Sequence, residues 1–143
     1  MPKKIAPADA TYFLGFDGGG TKTECVLADA AGRVITSSTG GPSNPVRAGY
    51  TRAWFSLSDA ADAVLKHEKL TTGHIRGVCA GLGGAGRSGV ARRIRTFFER
   101  GYPNAGVHVT TDLEIALEAA FGAAEGIILL IGTGSGTGTE GRS

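Results

Sequence analysis

Asp17 is followed by Gly18, Gly19 and Gly20 and then by Thr21, Lys22 and Thr23, and no other stretch of this sequence is better suited to chemistry. Consecutive glycines let the backbone take positive φ and bring several N–H groups up to an anion with no Cβ in the way. Thr21 and Thr23 add hydroxyls, and Lys22 adds a cation. A carboxylate beside such a loop would repel bare phosphate, so Asp17 makes sense there if a divalent cation with bound waters lies between the two. The cluster therefore predicts Mg²⁺ with a nucleotide. An ordinary hairpin has a similar composition, because Asp-Gly is a common turn former.

Further along, Gly81-Leu-Gly-Gly-Ala-Gly86 satisfies G-x-G-x-x-G after an apolar run, which raises a rival reading as an NAD or FAD site. Its spacing argues against that reading. The next acidic residue at a strand end, Asp112, lies 26 residues past Gly86, where about 20 is usual, and the unit does not open the domain. Asp112 follows a short strand and opens a helix, where a side chain projects from a sheet's carboxyl edge into a ligand crevice. With Thr111 before it and Glu114 after it, the same residue also suits a helix cap. Gly132-Thr133-Gly134-Ser135 has the small residues and hydroxyls of a second phosphate loop, or of a flexible tail. Ser43-Asn44 precedes Pro45 as a turn would, while the Asn amide offers both donor and acceptor to a ligand.

The elements that must position these residues follow from periodicity. Phe13 to Phe16 and Cys25 to Leu27 read as the two strands of the glycine hairpin, and Val34 to Ser38 as a third strand after an Asp29-to-Arg33 turn. Gly40 to Pro45 reads as a loop. Trp54, Leu57, Ala60, Ala61, Val64 and Leu65 recur at helical spacing, as do Val90, Ile94, Phe97 and Phe98 in a helix ending near Gly101. Ile75 to Ala80 and Val107 to Thr110 read as strands, and Leu113, Leu117, Ala120 and Phe121 as a third helix. The order β-β-β-α-β-α-β-α predicts a mixed α/β sheet of five strands covered by helices.

Composition sets bounds. The 143 residues are 41% hydrophobic and 20% charged, a globular balance able to close one core. A net charge of +2 gives no nucleic-acid stripe, and a solvated helix face accounts for Arg87, Arg92, Arg93 and Arg95. Cys25 and Cys79 sit in apolar runs, which predicts buried free thiols and a reducing cytoplasm. The longest aliphatic run, Ile127 to Ile131, is too short to span a bilayer, and the N-terminus lacks a secretory apolar region, so a soluble protein without membrane partners is expected.

The Asp17-to-Thr21 loop, Ser43-Asn44, Thr110-Thr111-Asp112 and Gly132 to Ser135, in that order over about residues 12–136, resemble the sugar-kinase, heat-shock-protein 70 and actin superfamily. Within it they are most similar to the N-acetylglucosamine kinase and BadF/BadG/BcrA/BcrD-type ATPase branch. The resemblance implies a ribonuclease-H-like, actin-like ATPase domain over residues 1–123 and the start of a second, truncated ATPase domain with a flexible tail over 124–143. It implies ATP-dependent phosphoryl transfer to a hydroxyl of N-acetylglucosamine or glucosamine, with Asp17 at Mg²⁺ and Gly18, Gly19, Gly20, Thr21, Lys22, Gly132, Thr133, Gly134 and Ser135 at the ATP phosphates. Asp112 becomes the base that accepts the sugar hydroxyl's proton, and Asn44, Gly83 and Gly84 meet the sugar. The residues alone are then expected to be inactive, and a homodimer of the full-length protein is left open. Another branch of the family activates acyl-CoA dehydratases or reductases through an iron–sulfur cluster, and that alternative needs cysteines positioned at a subunit interface, whereas Cys25 and Cys79 lie within expected strands.

Overall fold

The structure, a computed structural model, describes residues 10–111. The third helix, the Ile127 to Ile131 strand, the Gly132 to Ser135 loop and the boundary after residue 123 lie outside the described residues.

Three strands run first: β1 (Tyr12–Gly18), β2 (Thr23–Asp29) and β3 (Val34–Gly40). A four-residue helix, α1 (Pro45–Ala48), leads into α2 (Tyr50–His67). After a single 3₁₀ turn at Thr72–His74 come β4 (Ile75–Leu82), α3 (Val90–Gly101) and β5 (Gly106–Thr110). The sheet order is β3-β2-β1-β4-β5, antiparallel across β1/β2 and β2/β3 and parallel across β1/β4 and β4/β5. This is the mixed five-stranded sheet that the periodicity predicts. The helix α1 is an addition to the expected order, because Gly-Pro-Ser-Asn-Pro composition reads as loop.

Side chains alternate along each strand, and one face collects Leu14, Phe16, Cys25, Leu27, Val78, Ala80 and Leu82 into the core. Both long helices cover that face. α2 contributes Leu57, Ala60, Ala61, Val64 and Leu65, and α3 contributes Val90, Ile94 and Phe98. The rings of Phe16 and Phe98 lie 5.0 Å apart, and Trp54 of α2 stacks on Phe97 of α3 at 4.4 Å. Small residues let α2 come close to β3. Ser38 Oγ donates to the Ala60 carbonyl at 2.5 Å, and a Cβ on Gly40 would lie 2.9 Å from the Ser56 carbonyl oxygen.

Chain direction fixes the functional edge. β3 runs parallel to β1, because each is antiparallel to β2, and β4 and β5 are also parallel to β1. The β1/β2 hairpin tip, the β3 to α1 loop, the β4 to α3 loop and the end of β5 therefore gather at one edge of the sheet. In α/β sheets ligands bind outside the carboxyl ends of the strands.

Candidate active site

At the hairpin tip, Gly19 N–H donates to the Lys22 carbonyl at 3.0 Å and closes the turn. The tip is tied down on both sides. The Gly18 carbonyl accepts from Gly83 N–H at 2.9 Å, and the Gly19 carbonyl accepts from the amides of Ser43 at 3.0 Å and Asn44 at 3.2 Å. A trans peptide holds its C=O and N–H on opposite sides. The Gly20 amide, paired with the Gly19 carbonyl in one peptide unit, must therefore point away from Ser43 and Asn44. Among the described residues, neither Gly20 nor Thr21 N–H has a backbone acceptor, and a Cβ on Gly19 would meet nothing within 4 Å. The tip thus presents backbone donors around open space, which fits a phosphate group.

Gly18 is glycine for a different reason. A Cβ there would overlap Ser43 Oγ and lie 2.7 Å from Leu82 Cδ2. Thr23 also departs from its expected role, because it is wholly buried in β2 and faces the helices rather than the tip. Its hydroxyl lies 2.6 Å from the Gly41 carbonyl and 2.6 Å from Ser43 Oγ. Since a hydroxyl has one proton, Thr23 donates to the carbonyl and accepts from Ser43. Thr23 therefore clamps the β3 to α1 loop and is unable to meet a phosphate.

Register places Asp17 at the centre of a row across the sheet: Thr39, Glu24, Asp17, Gly81, Thr110. These residues share the face opposite the helices. Asp17 is exposed, and Glu24, which the sequence reading passed over, is its direct cross-strand neighbour. The signal was available. A turn closed by Gly19 and Lys22 pairs Gly18 with Thr23 and hence Asp17 with Glu24. Lys22 leans back to Glu24, 3.7 Å away, with its side chain 67% exposed. Among the described residues no cluster of three or more His, Cys, Asp or Glu is poised for a metal, so a hard cation at Asp17 would keep several waters, as Mg²⁺ does.

Asn44, Gly83 and Gly84 come together beside the tip. A Cβ on Gly83 would lie 2.9 Å from Asn44 Nδ2, and one on Gly84, whose φ is +88°, would lie 2.5 Å from Asn44 Oδ1. Asn44 also caps α1, its Oδ1 accepting from Val46 N–H at 2.9 Å and Arg47 N–H at 3.3 Å. With that acceptor committed, Nδ2 is the group left for a ligand. Arg47, also absent from the expected set, lies over the tip: its Cδ and Nε are each 3.6 Å from where a Gly20 Cβ would be.

The dinucleotide reading of Gly81 to Gly86 fails on geometry. Gly81 still belongs to β4, the Gly83 amide is taken by Gly18, and α3 starts only at Val90 behind the left-handed Gly89. A pyrophosphate needs that helix N-terminus directly after the turn. Both cysteines are buried free thiols, as expected; burial pushes the Cys25 thiol far up and that of Cys79 up to about 12. A cavity of about 590 Å³ on the helix side, lined by Trp54, Phe97, Arg92, Arg93 and Arg100 among others, lies away from the glycine loops. Arg93 is stacked there on Tyr50, 3.6 Å from the ring centroid. No described helix is long and apolar enough to cross a membrane. Asp112 and Gly132, Thr133, Gly134 and Ser135 lie outside the described residues.

This mixed sheet, with its glycine hairpin at the carboxyl edge, is an actin-like ATPase fold of the kind found in sugar kinases. A structure assigned as N-acetylglucosamine kinase from Chromobacterium violaceum superposes with a TM-score of 0.58 at 24% identity, covering 74% of this chain and 36% of that one. The profile of the BadF/BadG/BcrA/BcrD ATPase family matches residues 14–139, and the chain belongs to that family. It is 31% identical over 136 residues to the N-acetylmuramic acid/N-acetylglucosamine kinase of Clostridium acetobutylicum, covering 92% of this chain and 44% of that protein. The chain thus spans less than half the length of the curated relative it matches. Component A of the (R)-2-hydroxyglutaryl-CoA dehydratase of Acidaminococcus fermentans superposes with a TM-score of only 0.47 at 18% identity, covering 79% of this chain and 36% of that one. That likeness is too distant to argue from.

Proposed function

We propose that the chain is the N-terminal lobe of a cytoplasmic, ATP-dependent kinase that transfers a phosphoryl group to a hydroxyl of an N-acetylated amino sugar. The observation that carries this reading is the junction of two groups at one sheet edge. The tip amides of Gly20 and Thr21, with Asp17 beneath them, adjoin the Asn44, Gly83 and Gly84 cluster. Identity to an amino-sugar kinase along 92% of the chain supports it.

In this reading Gly18, Gly19, Gly20, Thr21 and Lys22 form the wall around the nucleotide phosphates, and Gly132, Thr133, Gly134 and Ser135 supply a second phosphate loop. Asn44 Nδ2 donates to the sugar between Gly83 and Gly84, whose missing side chains let the substrate approach. Asp17 would hold a Mg²⁺ ion, which would neutralise charge on the phosphates. Asp112, two residues beyond Thr110 at the end of β5, orients the acceptor hydroxyl and takes its proton. The buried, protonated Cys25 and Cys79 are ill suited to ligate an iron–sulfur cluster, which favours the kinase over the activator.

The test is Asp112→Asn in the full-length protein, scored with N-acetylglucosamine and N-acetylmuramic acid. The amide keeps size and much of the capping ability but is no base. The reading expects kcat to fall by about 10²-fold or more, with nucleotide affinity and melting temperature nearly unchanged. Retained kcat together with a loss of about 1 kcal/mol of stability would reduce Asp112 to a helix cap.

A further inference from the structure

We infer that Arg47 is a phosphate-binding residue of this site, a guanidinium delivered to the glycine hairpin by the short helix α1. The inference rests on the kinase reading and deepens it. Arg47 Cδ, Nε and Cζ lie 3.6, 3.6 and 3.8 Å from the position of a Gly20 Cβ, so the whole terminal half of the side chain runs along the flank of the tip. The placement is built rather than incidental. Asn44 caps α1 through the amides of Val46 and Arg47, and the Gly19 carbonyl binds the amides of Ser43 and Asn44. The helix that carries Arg47 and the loop that Arg47 covers are therefore one hydrogen-bonded unit.

Charge points the same way. The loop's own cation, Lys22, is 3.7 Å from Glu24 and answers that carboxylate. Among the described residues Arg47 has no ion-pair partner, and its exposed side chain flanks the loop. A planar guanidinium with its donors in a fork matches phosphate oxygens and stays charged at any working pH. Beside tip amides that already suit an anion, it supplies the positive charge that Lys22 shares with Glu24. The ligand is a phosphoryl group of the nucleotide rather than its adenosine.

The experiment compares Arg47→Ala and Arg47→Lys with the unaltered full-length protein, using Mg·ATP and adenosine as probes in calorimetry alongside thermal melting. Arg47→Ala should weaken Mg·ATP by about tenfold or more, one charge-assisted hydrogen bond's worth. Arg47→Lys should fall between, with adenosine affinity and melting temperature unchanged. Mg·ATP affinity of Arg47→Ala within about twofold of the unaltered protein overturns the inference while leaving the kinase reading standing. Equal losses for ATP and adenosine, or a lowered melting temperature, overturn it by making Arg47 a packing residue. If the unaltered protein binds no Mg·ATP, the kinase reading and the inference fall together.

Discussion

Gly18 and Gly19 are neighbours of the same type held for opposite reasons, and a methyl group distinguishes them. At Gly18 a Cβ collides with Ser43 Oγ and crowds Leu82. Ser43 is unable to swing aside without giving up its bond to Thr23, which is buried and also anchors the Gly41 carbonyl. Gly18→Ala should therefore destabilise the chain by about 1–3 kcal/mol, the usual range for overpacking. Gly19 has open space where its Cβ would be, so Gly19→Ala should stay within about 0.5 kcal/mol of the parent and act on phosphate affinity if it acts at all. Urea unfolding of both variants checks the contrast, and equal stabilities would mean that the hairpin is not clamped as described. The residue types of this loop suggest anion chemistry in the sequence, but the division of labour within it is not visible there. Thr23 looks like Thr21 in a string of letters. Only register turns one toward the helices and leaves the other at the tip.

The elements were legible where burial imposes a period. Phe16, Cys25, Leu27, Val78 and Ala80 alternate, and Leu57, Ala61, Val64, Ile94 and Phe98 recur every three or four residues, because a sheet face and a helix stripe must each bury one side. α1 escaped because four residues carry no period; its signals are the Asn44 cap and Pro45 in the first turn, which also mark an ordinary loop. The same logic predicts where α2 and α3 bear their weight. Phe98 is 1% exposed and its ring meets Phe16, Phe97 and Tyr102, whereas Phe55 on the far side of α2 is 67% exposed. Phe98→Ala should cost about 3–5 kcal/mol and Phe55→Ala almost nothing. Denaturation midpoints measure both, and a comparable loss at Phe55 would mean that a partner surface covers that face.

At the scale of the molecule, the feature that no periodicity announces is the insertion of β4 beside β1. It makes the sheet order β3-β2-β1-β4-β5 and draws together segments as distant as Gly18, Asn44, Gly83 and Thr110. Local patterns yield the strands, but their neighbours depend on contacts far apart in sequence, and here the order of motifs shared with a known superfamily stood in for that missing information. The consequence for function follows from what one edge provides. In the proposed reading the tip amides and Arg47 offer half of a phosphate cradle, and the Asn44 cluster offers one wall of a sugar site. Phosphoryl transfer requires both substrates to be enclosed and water to be kept out, which takes a second lobe closing on the first. The chain spans 44% of the kinase it resembles. The 143 residues alone should therefore bind pyrophosphate weakly, with an affinity lowered by Arg47→Ala, yet show no appreciable phosphorylation of N-acetylglucosamine when supplied with Mg·ATP. A coupled ADP-release assay decides the matter. Turnover near the rate of the full-length protein would mean that a single lobe completes the site and that the proposed two-lobed closure is wrong.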